Sequence, residues 1–77
     1  MQVNLRTIRK QKNLTQFKLS LICGIPQAHI SLYETSLRIP GLINASRIAD
    51  ALGKSIEEIW PLESILNVNE LSETELR

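Results

Sequence analysis

The side chains best placed to do chemistry lie in the short stretch between Pro26 and Tyr33. If Ile30 and Tyr33 form the buried side of a helix there, four side chains remain outward: Gln27, Ala28, Ser31 and Leu32. Two helices joined by a glycine turn, the second of them short and polar on its outer face, are typical of the helix-turn-helix motif. In that motif the second helix lies in the DNA major groove. A plain helical bundle with a glycine corner has the same spacing, so the remaining elements must decide.

The elements on either side of this stretch are marked by their end residues. Thr15 is a good N-cap for a helix over residues 16–23, and Gly24 suits the left-handed position that ends it. Pro26 fits the first turn of the next helix, where its missing N–H costs nothing. Apolar spacing predicts further helices over residues 3–12, with Leu5, Ile8, Arg9 and Lys12 on one face, and over residues 41–52. The second has an inward stripe of Leu42, Ala45, Ile48, Ala49 and Leu52.

A fifth short helix should follow Gly53, because Ser55 and Glu58 form a capping box and Pro61 ends the segment. The predicted fold is all-α: a compact five-helix domain over residues 1–61 with a helix-turn-helix, plus a short tail. Residues 62–77 are an acidic C-terminal tail, either a helix formed against a partner or a frayed end.

Composition excludes several classes of function. The 77 residues contain one Cys and one His, which supports neither a metal site nor a Cys–His nucleophilic pair, and Cys23 is expected to be a small core residue. We expect no enzyme activity and no cofactor. A single cysteine, no secretory leader and no apolar run near the roughly 20 residues of a membrane span lead us to expect a cytoplasmic protein.

The net charge of +1 is unevenly distributed. Residues 1–62 carry eight Lys or Arg and four Asp or Glu, a balance of +4, whereas residues 63–77 carry four Glu and one Arg, a balance of −3. A mildly basic domain is compatible with phosphate binding, and equally with an ordinary surface of mixed sign.

Taken together, the chain from residue 3 to about 60 resembles the phage Cro/repressor type of helix-turn-helix domain, the XRE family. The matching motifs occur in all five helices. They are Leu5-Ile8-Arg9, Leu14-Thr15-Gln16, Leu19-Ser20, Gly24-Ile25, Ile30-Ser31, Glu34, Pro40, the run Ile48-Ala49-Asp50-Ala51-Leu52-Gly53, and Ser55-Ile56-Glu57-Glu58-Ile59.

The resemblance implies roles for individual residues. Base reading falls to Gln27, Ala28, Ser31 and Leu32; Gln pairs bidentately with adenine and apolar groups contact the thymine methyl, although Leu32 equally suits packing within its own domain. Phosphate contact falls to Thr15, Gln16, Lys18, His29 and Arg38, with Gln16 also bracing the second helix of the motif. Solvent-facing positions are the alternatives for Gln16 and His29. Arg9 and Glu34 match an inward salt bridge.

The sequence also departs from the family pattern. Ser36 stands where glycine is usual, which leaves the following loop, and Arg38 in it, without an assured geometry. Phe17, Leu21, Ile22 and Ile43 replace residues that are usually polar. They either enlarge the core or form an exposed apolar surface for a partner.

The leading hypothesis is a sequence-specific duplex-DNA-binding transcriptional regulator, a repressor that acts as a homodimer. The expected dimer surface consists of Leu42, Ile43, Ile59, Trp60, Leu62 and Ile65, although Trp60 equally suits the core of one chain. The alternative is a protein-interaction module of the same fold, an antitoxin or anti-repressor component, with a protein partner bound through the tail.

Overall fold

The computed structural model describes residues 3–61 of the chain, and this part folds into five α-helices with no strand. The helices are α1 (Leu5–Gln11), α2 (Gln16–Cys23), α3 (Gln27–Glu34), α4 (Leu42–Leu52) and α5 (Ile56–Ile59). The predicted all-α fold is confirmed. The predicted tail, residues 62–77, lies outside the described residues, and so do Leu62 and Ile65 of the expected dimer surface.

The helix beginnings follow the predicted caps with one correction. The Thr15 hydroxyl accepts a hydrogen bond from the backbone N–H of Lys18, 3.0 Å between the heavy atoms. Ser55 and Glu58 form the complete capping box of α5. Pro26, predicted in the first turn of α3, is instead its N-cap, with a ψ of 140° that is not helical. Its carbonyl accepts hydrogen bonds from the backbone N–H groups of His29 and Ile30. Pro26 therefore caps the helix from the position just before its first residue.

Four helices end in a residue with a left-handed backbone. Gly24 closes α2 with a φ of 72°, and its N–H donates to the Ser20 carbonyl. Asn13, Ser36 and Gly53 adopt φ values of 58°, 64° and 65° after α1, α3 and α4. In each of these three the following N–H donates back to a carbonyl five residues earlier, for example Leu37 to Leu32. This is the Schellman arrangement, which satisfies the last carbonyls of a helix.

The core draws at least one side chain from every helix. Those that are almost wholly buried are Leu5, Leu19, Ile30, Ile48, Leu52 and Ile59. Cys23 is buried and free, as predicted for a small core residue. α2 packs against both α3 and α4, α1 packs against α3, and α5 packs against α4. The helix-turn-helix pair is therefore held from behind by α1 and α4.

Two side chains that were predicted to share a face with core residues are exposed, and both lie at helix ends. α1 stops at Gln11, so Lys12 is its C-cap and is exposed. α4 begins at Leu42, but its burial starts one turn later at Ala45, and Leu42 is 77% exposed. The apolar spacing predicts the buried face of each helix correctly. Neighbouring helices do not cover that face over its whole predicted length: Lys12 lies one residue beyond the end of α1, and Leu42 lies one turn before the buried part of α4.

The dimer surface also needs a correction. Ile59 is completely buried and Trp60 is 2% exposed within the single chain. Side chains without accessible surface have none to bury against a second copy, so both belong to the core. Leu42 and Ile43, at 77% and 71% exposure, remain available.

Candidate nucleic-acid interface

The outward surface of α3 is concentrated at its first turn. Gln27 and Ala28 are exposed, whereas Ser31 and Leu32 are half-buried and not fully outward as predicted. His29 is half-buried, and its ring centre lies 6.4 Å from that of Tyr33. The first turn of α3 therefore presents one amide and one methyl group to solvent, with the hydroxyl of Ser31 one turn behind them.

The opposite side of α3 is anchored in the core. Ile30 and Tyr33, together with Ile25 just before the helix, are each 3% exposed or less. The Tyr33 hydroxyl accepts a hydrogen bond from Asn44 Nδ2 of α4 at 3.2 Å. Because one side of the helix is fixed by packing and by this bond, the orientation of Gln27 and Ala28 is set by the fold.

The end of α3 is held by an ion pair that consists of two hydrogen bonds. Arg9 Nε donates to Glu34 Oε2 at 2.5 Å, and Arg9 Nη2 donates to Glu34 Oε1 at 3.1 Å. The side chains of Arg9 and Glu34 are only 9% and 3% exposed. The planar guanidinium thus grips the carboxylate in the two-pronged geometry that arginine favours. The predicted salt bridge is present.

Two further contacts complete this cluster. Gln16 Nε2 donates to Glu34 Oε1 at 3.0 Å, and Arg9 Nη1 donates to the Leu14 carbonyl at 2.7 Å. Glu34 therefore joins α1, α2 and α3, and Arg9 also holds the corner before α2. Gln16 braces α3 directly, as the resemblance implied. No spacing rule identifies a carbonyl such as that of Leu14 as an acceptor, so only the assembled fold shows that bond.

The loop after α3 keeps its geometry without glycine. Ser36 takes the left-handed conformation itself, with a φ of 64°. The N–H groups of Leu37 and Arg38 both donate to the Leu32 carbonyl, at 3.1 and 3.3 Å, and the Thr35 hydroxyl lies 3.2 Å from the same carbonyl oxygen. The departure from the family pattern therefore does not open the loop, and the backbone of Arg38 is tied to the end of α3.

The charged candidates for phosphate contact have exposed side chains. Lys18 and Arg38 are exposed, and within residues 3–61 neither forms a salt bridge. Thr15 uses its hydroxyl oxygen as the N-cap of α2, which leaves the hydroxyl hydrogen able to donate to a phosphate. In the part of the chain that the structure describes, no group of three or more His, Cys, Asp or Glu side chains is arranged to hold a metal ion.

The comparisons with known proteins agree with this geometry. The sequence model of the helix-turn-helix family matches residues 5–59, which is most of the chain. The chain belongs to the XRE-type helix-turn-helix family. A solved structure, the restriction-modification controller protein C.AhdI from Aeromonas hydrophila, is similar with a TM-score of 0.68 and 29% sequence identity. The similarity covers 71% of this chain and 83% of that one. No curated protein matches the chain.

Membership of this family indicates the general function of the protein. The XRE-type protein is a DNA-binding transcriptional regulator. None of the helices within residues 3–61 is long and apolar enough to cross a bilayer.

Proposed function

We propose that this XRE-type protein is a cytoplasmic repressor without enzyme activity, and that it reads duplex DNA as a homodimer through the first turn of α3. The observation that carries the proposal is the exposure of Gln27 and Ala28 on a helix whose far end is fixed by Arg9, Glu34 and Gln16. A rigidly held amide can pair with N6 and N7 of adenine, and the Ala28 methyl can contact the methyl of thymine. Ser31 and Leu32 contribute at the edge of the contact.

Phosphate contacts supply the affinity that does not depend on sequence. Thr15, Gln16, Lys18, His29 and Arg38 are the proposed contacts. Arg38 is the strongest of them, because its side chain is exposed while its backbone is bonded to the end of the recognition helix. A guanidinium in that position can bind phosphate oxygens in pairs and release counterions when it does so.

The homodimer supplies the length of the recognition site. One short helix covers few base pairs, whereas two helices related by a two-fold axis read half-sites about one helical turn apart. We place the dimer surface on Leu42 and Ile43 with Leu37 and Ile39 beside them in sequence, all between 52% and 77% exposed. Four exposed apolar side chains within seven residues are unusual for a monomer of this size.

Selection of bound DNA from a random pool tests the function. We expect enrichment of a two-fold symmetric site. If no DNA sequence is enriched even at low salt, the result would favour the alternative of a protein-interaction module. Gln27→Ala should weaken binding to the selected site about tenfold and erode preference at one position of each half-site. Gln11→Ala, which removes an exposed amide from α1, is the matched control and should leave binding unchanged.

A salt titration separates the phosphate contacts from base reading. Arg38→Ala should weaken binding to all sequences alike and reduce the slope of log affinity against log salt by about 0.9 for each phosphate that Arg38 neutralises. Arg38→Lys retains the charge and should retain most of the slope. An Arg38→Ala variant with an unchanged slope would remove Arg38 from the interface.

A further inference from the structure

The exposed side of α1 carries basic side chains and no acidic one. Arg6 and Lys10 are both exposed and lie four residues apart, which places them on the same side of the helix. Lys12, the C-cap of α1, is exposed as well. We name the surface formed by these three residues the α1 basic face.

The described part of the chain supplies no counter-ion for the α1 basic face. Residues 1–33 contain five Lys or Arg and no Asp or Glu. The first acid in the chain, Glu34, is already paired with Arg9. Within residues 3–61 none of the three cations of the α1 basic face forms a salt bridge. Their charge is therefore available to an acidic partner.

The chain leaves the described part of the fold beside the beginning of α1. The backbone N–H of Asn4 donates to the Ile59 carbonyl at 2.8 Å, and Asn4 Nδ2 donates to the Glu58 carbonyl at 3.1 Å. Asn4 is the N-cap of α1, and Ile59 is the last residue of α5. Residue 62 therefore follows three residues after a backbone contact with α1.

We propose that residues 63–77 fold back onto the α1 basic face of the same chain and that their glutamates are its counter-ions. This segment carries four Glu and one Arg. Its fifteen residues span up to about 50 Å when extended, whereas α1 is only about 10 Å long. Single exposed ion pairs contribute little, but attachment beside α1 gives the segment a high effective concentration there.

Other exposed surfaces offer an acidic segment less. α2 exposes three large apolar side chains, Phe17, Leu21 and Ile22, at 57%, 66% and 57%. The sequence left them undecided between core and surface, and they are surface residues without a charge that could pair with a carboxylate. On α4 the exposed Arg47 lies three residues from the exposed Asp50, which repels other carboxylates. Charge complementarity therefore favours α1.

Backbone amide chemical shifts of the full chain test the contact. The comparison variant replaces the four acidic side chains of the segment: Glu63→Gln, Glu70→Gln, Glu73→Gln and Glu75→Gln. We expect the natural chain and this four-glutamine variant to differ at the amides of α1 in about 0.01 M salt. The differences should be lost in about 1 M salt, because the Debye length falls from about 30 Å to about 3 Å.

A second pair of variants shows whether the α1 cations are responsible. Arg6→Gln combined with Lys10→Gln should abolish the difference that the four glutamines cause at the remaining α1 amides. Arg47→Gln, which removes an exposed cation from α4, is the matched control and should leave that difference in place. Equal loss in both would show that net charge, and not the α1 basic face, holds the segment.

Three further results would overturn the proposal. Identical α1 shifts in the natural and four-glutamine chains at low salt would show that the segment does not occupy this face. A difference that grows with protein concentration would assign the face to the segment of a second copy. If only added random duplex DNA shifts the α1 amides, the face is a DNA contact. None of these results bears on base reading by α3, so the proposed function is tested separately.

Discussion

At the scale of single residues, Glu34 is where three helices meet. Its carboxylate accepts two hydrogen bonds from Arg9 of α1 and one from Gln16 of α2, and its side chain is almost fully buried. A buried ion pair is costly to form, but it is still more costly to break by removing one partner. The residue therefore holds the end of α3 in place from inside the protein.

Glu34→Ala should destabilise the protein by about 3 kcal/mol, because the guanidinium of Arg9 stays buried without its counter-ion. Gln16→Ala removes a single neutral donor and should cost about 1 kcal/mol. Urea unfolding measured by the fluorescence of Trp60, the one tryptophan of the chain, gives both values. Glu57→Ala, an exposed carboxylate on α5, is the control. A cost for Glu34→Ala no greater than for Glu57→Ala would show that the ion pair adds nothing.

At the scale of helices, the left-handed glycines set where α2 and α4 stop. Gly24 and Gly53 have φ values of 72° and 65°, and a Cβ added at either would meet no atom within 4 Å. Glycine is therefore favoured at these two positions because of the left-handed backbone conformation, and not because a side chain would lack space. Gly41 also has room for a Cβ but has a φ of −68°, which any residue can adopt.

These three glycines form a matched set for mutation. Gly24→Ala and Gly53→Ala should each cost about 1–2 kcal/mol, the penalty of a side chain in the left-handed region. Gly41→Ala should change stability by no more than about 0.5 kcal/mol. Alanine lowers the entropy of the unfolded chain, and this gain offsets its slightly poorer capping of α4. Thermal unfolding of the three variants makes the comparison. Equal costs at all three positions would contradict a conformational origin.

The capping box of α5 gives the stability a dependence on pH. The hydrogen bond from the backbone N–H of Ser55 is the main cause that holds the pKa of Glu58 below its ordinary value of 4.5, followed by the Ser55 side chain. Because the folded pKa is the lower one, this stabilisation is present above about pH 4.5 and is lost as the pH falls through the folded pKa. Glu58→Gln should remove that dependence.

The measurement is the difference in unfolding free energy between the natural chain and Glu58→Gln at several pH values. The difference should shrink as the pH falls below 4.5. A constant difference for Glu58→Gln would mean that its charge has no part in the cap.

At the scale of the whole molecule, apolar surface that a single chain leaves exposed indicates how copies assemble. Leu42→Glu combined with Ile43→Glu should convert the proposed dimer into a monomer, because it places two charges in an apolar contact. Both side chains are exposed in the single chain, so its own fold should be unaffected. Sedimentation equilibrium checks the result, with Thr7→Glu as an exposed control on α1. A dimer that persists in the double variant would move the interface elsewhere.

Local patterns in the sequence determined the five helices and several of their ends. The Thr15 and Ser55 caps, the left-handed Gly24 and Gly53, and the buried spacing of Ile30 and Tyr33 depend on neighbours a few residues away, which the sequence shows directly. The Arg9–Glu34 pair, 25 residues apart, was predicted only because it matched a family position.

Tertiary structure alone decided which surfaces remain free. Helical periodicity predicts the face on which a side chain lies, but not how far along the helix other elements cover that face. The predictions of Leu42 in the core and of Ile59 and Trp60 at a dimer interface are therefore wrong. The same limit left Phe17, Leu21 and Ile22 undecided between core and surface. Burial depends on contacts between residues distant in the chain, and those contacts exist only once the five helices have packed together.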